Sequence, residues 1–340
     1  MRAARCSIRH RIGEITAREH ALRAAERETY RVRTEAGQGS PLSDASASAR
    51  SRPLQMLRDY FTLTKPSIML LLLITTVPAM VLAAEGWPGT RLVLATLLGG
   101  ALAAGGAGAV NMWIDRDIDG LMKRTQNRPI PSGRIPAHHA AIFGFVLGLS
   151  SGPWLYFTAN GLAALLALGA FAFYVAAYSL YLKRKTVHNT VLGGVAGAMP
   201  PLIGWAAVTD SITVEGLLLF FIVFYWQPPH FWALALALEE DYRGAGIPMM
   251  PVILGERVTK MQTVAYAVLT LCVTLMFGAA ASLGALYFAV ALVGGLGFTW
   301  FAVRMYQGTG LAGTRGMFRY STLYLAVLFA AMVLDRVLLG

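Results

Sequence analysis

Nine apolar stretches follow one another from Arg58 toward the C-terminus, each about as long as the roughly 20 helical residues that cross a bilayer. They run Ser67 to Ala84, Arg91 to Trp113, Ala140 to Phe157, Leu162 to Leu182, Thr190 to Val208, Val214 to Leu238, Val264 to Ala280, Ala285 to Val303 and Ser321 to Val337. Lipid offers no partner to a backbone N–H or C=O, so consecutive spans of this length must be helices. The expected fold is therefore all-α, a polytopic membrane protein of nine transmembrane helices over residues 54–340. The 56% hydrophobic content, 14% charge and mean hydropathy of +0.55 exclude an ordinary soluble domain. Between the seventh and eighth spans only Gly278-Ala-Ala-Ala-Ser-Leu-Gly284 marks a turn.

Charge is distributed unevenly along the chain. Residues 1–53 form a polar, Arg-rich, lysine-free extension that closes on a Ser/Ala-rich run, and its composition predicts a disordered cytoplasmic tail. Glu14, Glu19, Glu26, Glu28 and Glu35 argue against an organellar transit peptide. Beyond the tail the basic residues sit in alternate loops. The second connection holds Arg116, Lys123, Arg124, Arg128 and Arg134, the fourth Lys183, Arg184 and Lys185, the sixth Arg243, Arg257 and Lys260, and the eighth Arg304, Arg315 and Arg319. By the positive-inside rule these loops and the N-terminus are expected in the cytoplasm, with the C-terminus outside, which fits an inner (cytoplasmic) membrane. A net charge of +11 spread in this way marks orientation and gives no nucleic-acid surface. Cys6 and Cys272 form no disulfide framework or zinc spacing.

The second span ends in acids. In Asn111-Met-Trp-Ile-Asp115-Arg-Asp117-Ile-Asp119, positions 111, 115 and 119 recur every four residues and share a helix face, whereas Asp117 points elsewhere as a solvated acid. Carboxylates beside hydrocarbon lose hydration with nothing to replace it, so a cation must meet them. Mg²⁺ takes oxygen ligands and is usually bound by one or two carboxylates together with substrate phosphates, which makes the row half of a metal-diphosphate site. A second acidic group, Glu239-Glu240-Asp241, follows the sixth span at the same expected end of the bundle. Two carboxylate clusters with basic residues between them suit an isoprenyl diphosphate, whose departing pyrophosphate needs cationic stabilisation. The runs Gly99–Gly108 and Gly193–Gly197 are small-residue packing surfaces, with neither the strand nor the GK[ST] ending of a phosphate loop.

The acid row, the nine spans and the second acidic group resemble the membrane prenyltransferase superfamily. Within it the chain is similar to the protohaem IX farnesyltransferases (haem O synthases). The strings carrying that likeness are Leu63-Thr-Lys65-Pro66, Asn111 through Pro129 with Pro131-Ser-Gly133, Gly197-Ala-Met-Pro200-Pro201-Leu-Ile-Gly204-Trp205, Trp226-Gln-Pro-Pro-His230-Phe-Trp232 and Asp241-Tyr242 with Gly246-Ile-Pro-Met. The resemblance implies a helical bundle around a central cavity. It also implies farnesyl transfer from farnesyl diphosphate to the vinyl group of haem b, giving haem O. Haem A synthase and cytochrome oxidase assembly would be candidate partners, in a lipid bilayer and without nucleic acid.

Carried over residue by residue, Asn111, Asp115 and Asp119 would hold one Mg²⁺ and Asp241 the second, with Asp115, Asp119 and Asp241 the catalytic acids. Lys123, Arg124, Arg128 and Lys183 would contact diphosphate, with Lys65 a further candidate. His230 would meet the haem substrate, although a packing histidine fits the same sequence. Ala245 stands where the wider superfamily carries a second Asp, which weakens the second metal site and leaves Glu240 as a substitute. A quinone-type acceptor is the nearest alternative, and a cation-coupled transporter or a non-catalytic haem-handling protein are alternatives of different classes.

Overall fold

The computed structural model describes residues 53–338, and among them there is no β-strand. The expected N-terminal extension lies outside the described residues but for its last position. Helical residues 57–63 lead to α1 (Pro66–Ala83), which opens on a proline at its first position, where a missing N–H costs nothing. Then come α2 (Thr90–Ile114), the short α3 (Arg116–Asp119), α4 (Ala137–Thr158) and α5 (Gly161–Lys185). After them run α6 (Asn189–Thr209), α7 (Val214–Ala237), the short α8 (Glu239–Gly244), α9 (Met250–Ala280), α10 (Ala285–Gln307) and α11 (Thr314–Leu338).

Among the described residues eight helices are long and apolar enough to cross a membrane, and α1 supplies a shorter apolar stretch, Leu73–Ala83. Each of the nine apolar stretches read from hydropathy thus lies in a helix, eight of them long and apolar enough to span, and two of the helices begin well before the expected start. α9 starts at Met250 with a short apolar turn, Gly255 at φ 80° interrupts it with a kink that a side chain would resist, and the polar stretch 256–263 follows before the apolar run that hydropathy detects. α11 starts at Thr314, with Arg315 and Arg319 exposed on its first turns. Hydropathy sees only the apolar part of a helix, whereas the backbone hydrogen bonds continue into the polar ends.

Short links force neighbouring helices antiparallel, so the C-terminal ends of α2, α5 and α7 lie at one end of the bundle. The two longest connections, 115–136 and 238–249, also fall there. Capping is local: the Asn160 side chain accepts from the Ala163 N–H at 2.8 Å to start α5, and Thr213 does the same for Gly216 to start α7. α2 lies along α4 so closely that a Cβ on Gly106 would stand 2.4 Å from the Gly148 nitrogen, so this pair of small residues sets the helix separation. The largest apolar core joins α7, α9, α10 and α11 through Trp226, Phe277, Phe298 and Phe329. Outward-facing Phe157, 82% exposed, Leu165 and Val293 give the bundle an apolar exterior suited to lipid.

Candidate active site

α2 carries Asn111 and Asp115 at its end and the α3 turn carries Asp119, and the relative exposures of the three are 3%, 0% and 0%. The four-residue row therefore faces inward. Asn111 Nδ2 donates to Asp115 Oδ2 at 2.9 Å, which ties the row together along the helix.

Each member of the row meets its own cation, and each cation comes from a different part of the chain. Lys65, just ahead of α1, donates to Asn111 Oδ1. Lys183, at the end of α5, donates to Asp115 Oδ2. Arg128, in the long basic loop, donates from one nitrogen to both Asp119 oxygens at 2.8 and 2.7 Å. Two charges this deep are stable only as hydrogen-bonded pairs. Burial, with the like charges of Arg128 and Lys183 adding to it, pulls the Lys65 ammonium down to about 7.

The basic loop is held in place from both sides. Thr125 donates to the Asp119 carbonyl at 2.7 Å, and Arg134 donates to Asp59 at 3.0 Å and to the Asn127 carbonyl. Arg124 donates to the Tyr242 hydroxyl at 2.9 Å while its guanidinium lies 5.4 Å from the centre of the same ring. Tyr242 is buried, which raises its hydroxyl pKa against the opposing charge of Arg124. This contact joins the first acidic region to α8, which carries the second.

Asp241 is half-buried beside Tyr242 and makes no hydrogen bond or ion pair through its carboxylate among the described residues. Glu240 is exposed, and Glu239 pairs with Arg243 one turn on. Lys123 is exposed and also unpaired among the described residues. His230 faces α11 instead of the acid row: its ring stacks between Trp226 at 4.6 Å and Phe318 at 4.5 Å, and Nδ1 lies 2.7 Å from the Ser321 hydroxyl. Asp117 is exposed, as its place on the far face predicts, yet it pairs through both oxygens with Arg184 at 2.7 Å. That guanidinium holds the Asp117 carboxyl at about 2.

Two contributors are hidden from sequence reasoning. Arg184 reads only as an orientation signal, but it also binds the Ile114 carbonyl at 2.9 Å and so clamps the end of α2. Ser179, in the aromatic run of α5, accepts from Asn111 at 3.0 Å. Its one sequence signal is a hydroxyl four residues before Lys183 in an otherwise apolar stretch.

The donor set suits a hard cation. Asp115 Oδ1 is buried without a hydrogen-bond partner, and Arg184 lies 3.8 Å from it, beyond hydrogen-bond range. Among the described residues no three His, Cys, Asp or Glu side chains converge as a ready-made metal cage. A divalent ion here would draw on amide, carboxylate and substrate oxygens together, the habit of Mg²⁺.

A sequence profile of the UbiA prenyltransferase family matches residues 72–334. The chain belongs to the UbiA prenyltransferase family. It is an integral, multi-pass membrane protein. The chain is 45% identical over 293 residues to a protein of Symbiobacterium thermophilum named protoheme IX farnesyltransferase, covering 86% of this chain and 98% of that one. Another protein of that name, from Roseiflexus castenholzii, is 48% identical over 281 residues, covering 83% of this chain and 52% of that one. The chain spans about half the length of the first such relatives it matches.

Among solved structures, a digeranylgeranylglyceryl phosphate synthase superposes with a TM-score of 0.69 at 15% identity, over 83% of this chain and 99% of that one. A UbiA homologue from Archaeoglobus fulgidus, bound to DMAPP and Mg²⁺, gives 0.59 at 17% identity over 81% and 99%. These likenesses establish the UbiA-type helical fold.

Proposed function

We propose that the chain transfers the farnesyl group of farnesyl diphosphate to the vinyl group of haem b, giving haem O. The observation that carries this reading is the buried row Asn111, Asp115 and Asp119 with Lys65, Lys183 and Arg128 gathered on it. The names of the relatives at 45–48% identity supply the choice of donor and acceptor.

Asn111, Asp115 and Asp119 would hold one Mg²⁺, and the unpaired carboxylate of Asp241 the second. Bound Mg²⁺ would neutralise the diphosphate and so ease loss of pyrophosphate from the allylic carbon. Lys183, Arg128, Arg124 and Lys65 hold the diphosphate oxygens, and exposed Lys123 draws the anion to the mouth of the site. The burial of the row keeps water from the allylic cation until the electron-rich vinyl group has attacked it. Water then adds at the adjacent cation, which accounts for the hydroxyl of the product. Orientation of two apolar substrates is the remaining task, and no enzyme nucleophile is needed. His230, stacked in an aromatic slot, is a haem-facing candidate away from the acid row.

By the positive-inside rule the basic loops support a site on the cytoplasmic side of the cytoplasmic membrane, with haem A synthase and cytochrome oxidase assembly as candidate consumers of the product. Incubating the purified chain in lipid nanodiscs with Mg²⁺, haem b and farnesyl diphosphate tests the reading. The expected result is Mg²⁺-dependent haem O, identified by absorption and mass. Prenylation of a hydroxybenzoate in place of haem would move the chain to a quinone-type acceptor, and solute transport without diphosphate consumption would remove it from catalysis.

A further inference from the structure

Asn111 is the one member of the acid row whose two faces differ chemically, since its side chain offers an oxygen on one side and an NH₂ on the other. Only the oxygen can serve a cation. Something must therefore decide which way the amide points.

Lys65 holds the oxygen and Asp115 one proton of the NH₂, and the group that takes the other proton lies on α5. Residues Phe173–Leu182 of that helix are π-helical, with a wider turn than the α-helix on either side. Ser179 is fully buried there, and its hydroxyl donates at 2.8 Å to the carbonyl of Tyr174, five residues back. In an α-helix a serine that bonds back onto its own helix reaches the carbonyl three or four residues earlier. The wide turn directs this one elsewhere and leaves its oxygen aimed at α2.

A hydroxyl has a single proton, and Tyr174 takes it, so toward Asn111 the Ser179 oxygen can only accept. It accepts from Nδ2 at 3.0 Å. The second proton of Nδ2 goes to Asp115 Oδ2, which also receives Lys183. Two consequences follow from this one chain of donors. Asn111 Oδ1 is turned to the side where Lys65 now binds it, and Asp115 Oδ2 is saturated, so Oδ1 is the oxygen left without a hydrogen-bond partner.

We infer that Ser179 is a positioning residue that fixes the amide of Asn111 with its oxygen toward the metal, and that the π-helical turn exists in this chain to present that hydroxyl. The inference rests on the reading of the row as a metal-diphosphate site. Outer residues that orient a metal ligand typically change metal affinity or activity by about 10–100-fold when removed, and Ser179 belongs to that class.

The test measures the Mn²⁺ concentration needed for half-maximal binding of farnesyl S-thiolodiphosphate, a slowly ionising analogue, to the full chain in nanodiscs. Ser179→Ala is expected to raise that concentration by about 10-fold or more, while Ser179→Thr, which keeps the hydroxyl, stays within about 3-fold of the parent. Asn111→Asp supplies the second readout. A carboxylate has two equivalent oxygens and no wrong side, so in that background the Ser179→Ala change is expected to have an effect below about 3-fold.

Equal losses in both backgrounds would make Ser179 a packing residue and overturn the inference, as would absence of rescue by threonine or an unchanged Mn²⁺ requirement in Ser179→Ala. If the parent chain binds the analogue without any Mn²⁺ dependence, the metal-diphosphate reading itself fails, and that result is distinct from a failure at Ser179.

Discussion

The Lys183 ammonium donates to the Asp115 carboxylate across 68 residues of sequence, and both groups are withdrawn from solvent, with side-chain exposures of 12% and 0%. Breaking a buried pair by removing one partner costs about 3–5 kcal/mol, because the survivor is left charged and uncompensated. Lys183→Met is therefore expected to destabilise the chain by about that amount. The double change Lys183→Met with Asp115→Asn should recover much of the stability and none of the proposed farnesyl transfer. Thermal unfolding in detergent together with product formation checks both. A double variant as unstable as the single one would show that the pair is not what holds α5 to α2.

Arg128 reaches both oxygens of Asp119 through one nitrogen, leaving the rest of its guanidinium free for substrate. A lysine can reproduce a contact made by one nitrogen, though not a planar fork. Because the lysine keeps the ion pair, Arg128→Lys is expected to cost only about 1 kcal/mol of stability, yet, on the proposed function, to raise the KM for farnesyl diphosphate by about 10-fold, equivalent to about 1.4 kcal/mol. Steady-state kinetics beside a melting curve separates the two effects. An unchanged KM would remove Arg128 from the diphosphate contacts.

Lys65 gives a dependence on pH whose sign is fixed by its environment. Its ammonium loses its proton at about 7 in the folded chain, chiefly because it is buried, against about 10.4 in an unfolded one. Between those values the unfolded chain binds the extra proton, so stability should rise as pH rises through that window. Lys65→Met should flatten the rise. Unfolding at pH 7 and pH 9 in parent and variant is the measurement, and parallel curves would contradict it.

At Gly106 the backbones of α2 and α4 meet. An added methyl would lie 2.4 Å from the nitrogen and 2.6 Å from the Cα of Gly148, backbone atoms that cannot rotate away. Gly106→Ala is expected to cost about 1–3 kcal/mol or more, the range for overpacking a tight interior. Asn111 and Asp115 lie just beyond, at the end of the same helix, so the variant should also lower activity at temperatures where it remains folded. Unaltered stability would mean that the two helices can separate freely.

Much of the fold is legible in the sequence. Nine apolar stretches required nine helices, because lipid leaves the backbone no other way to satisfy its hydrogen bonds, and the spacing of Asn111, Asp115 and Asp119 placed them on one face. The two acidic regions, the basic loops and their shared end of the bundle followed from alternation. All of these are local regularities, set by periodicities of a few residues and by short links.

Tertiary structure alone decided which cation meets which acid. Arg184 looked like one more orientation charge and turned out to clamp Asp117 and the end of α2, while Arg124 closes on Tyr242 across 118 residues. His230 sits in an aromatic slot against α11 and apart from the acid row, and Ser179 meets Asn111 from within the π-helical stretch of α5. Such pairings depend on helix separation, kinks and turn width. Those arise from the packing of residues far apart in the chain, so no window of sequence contains them.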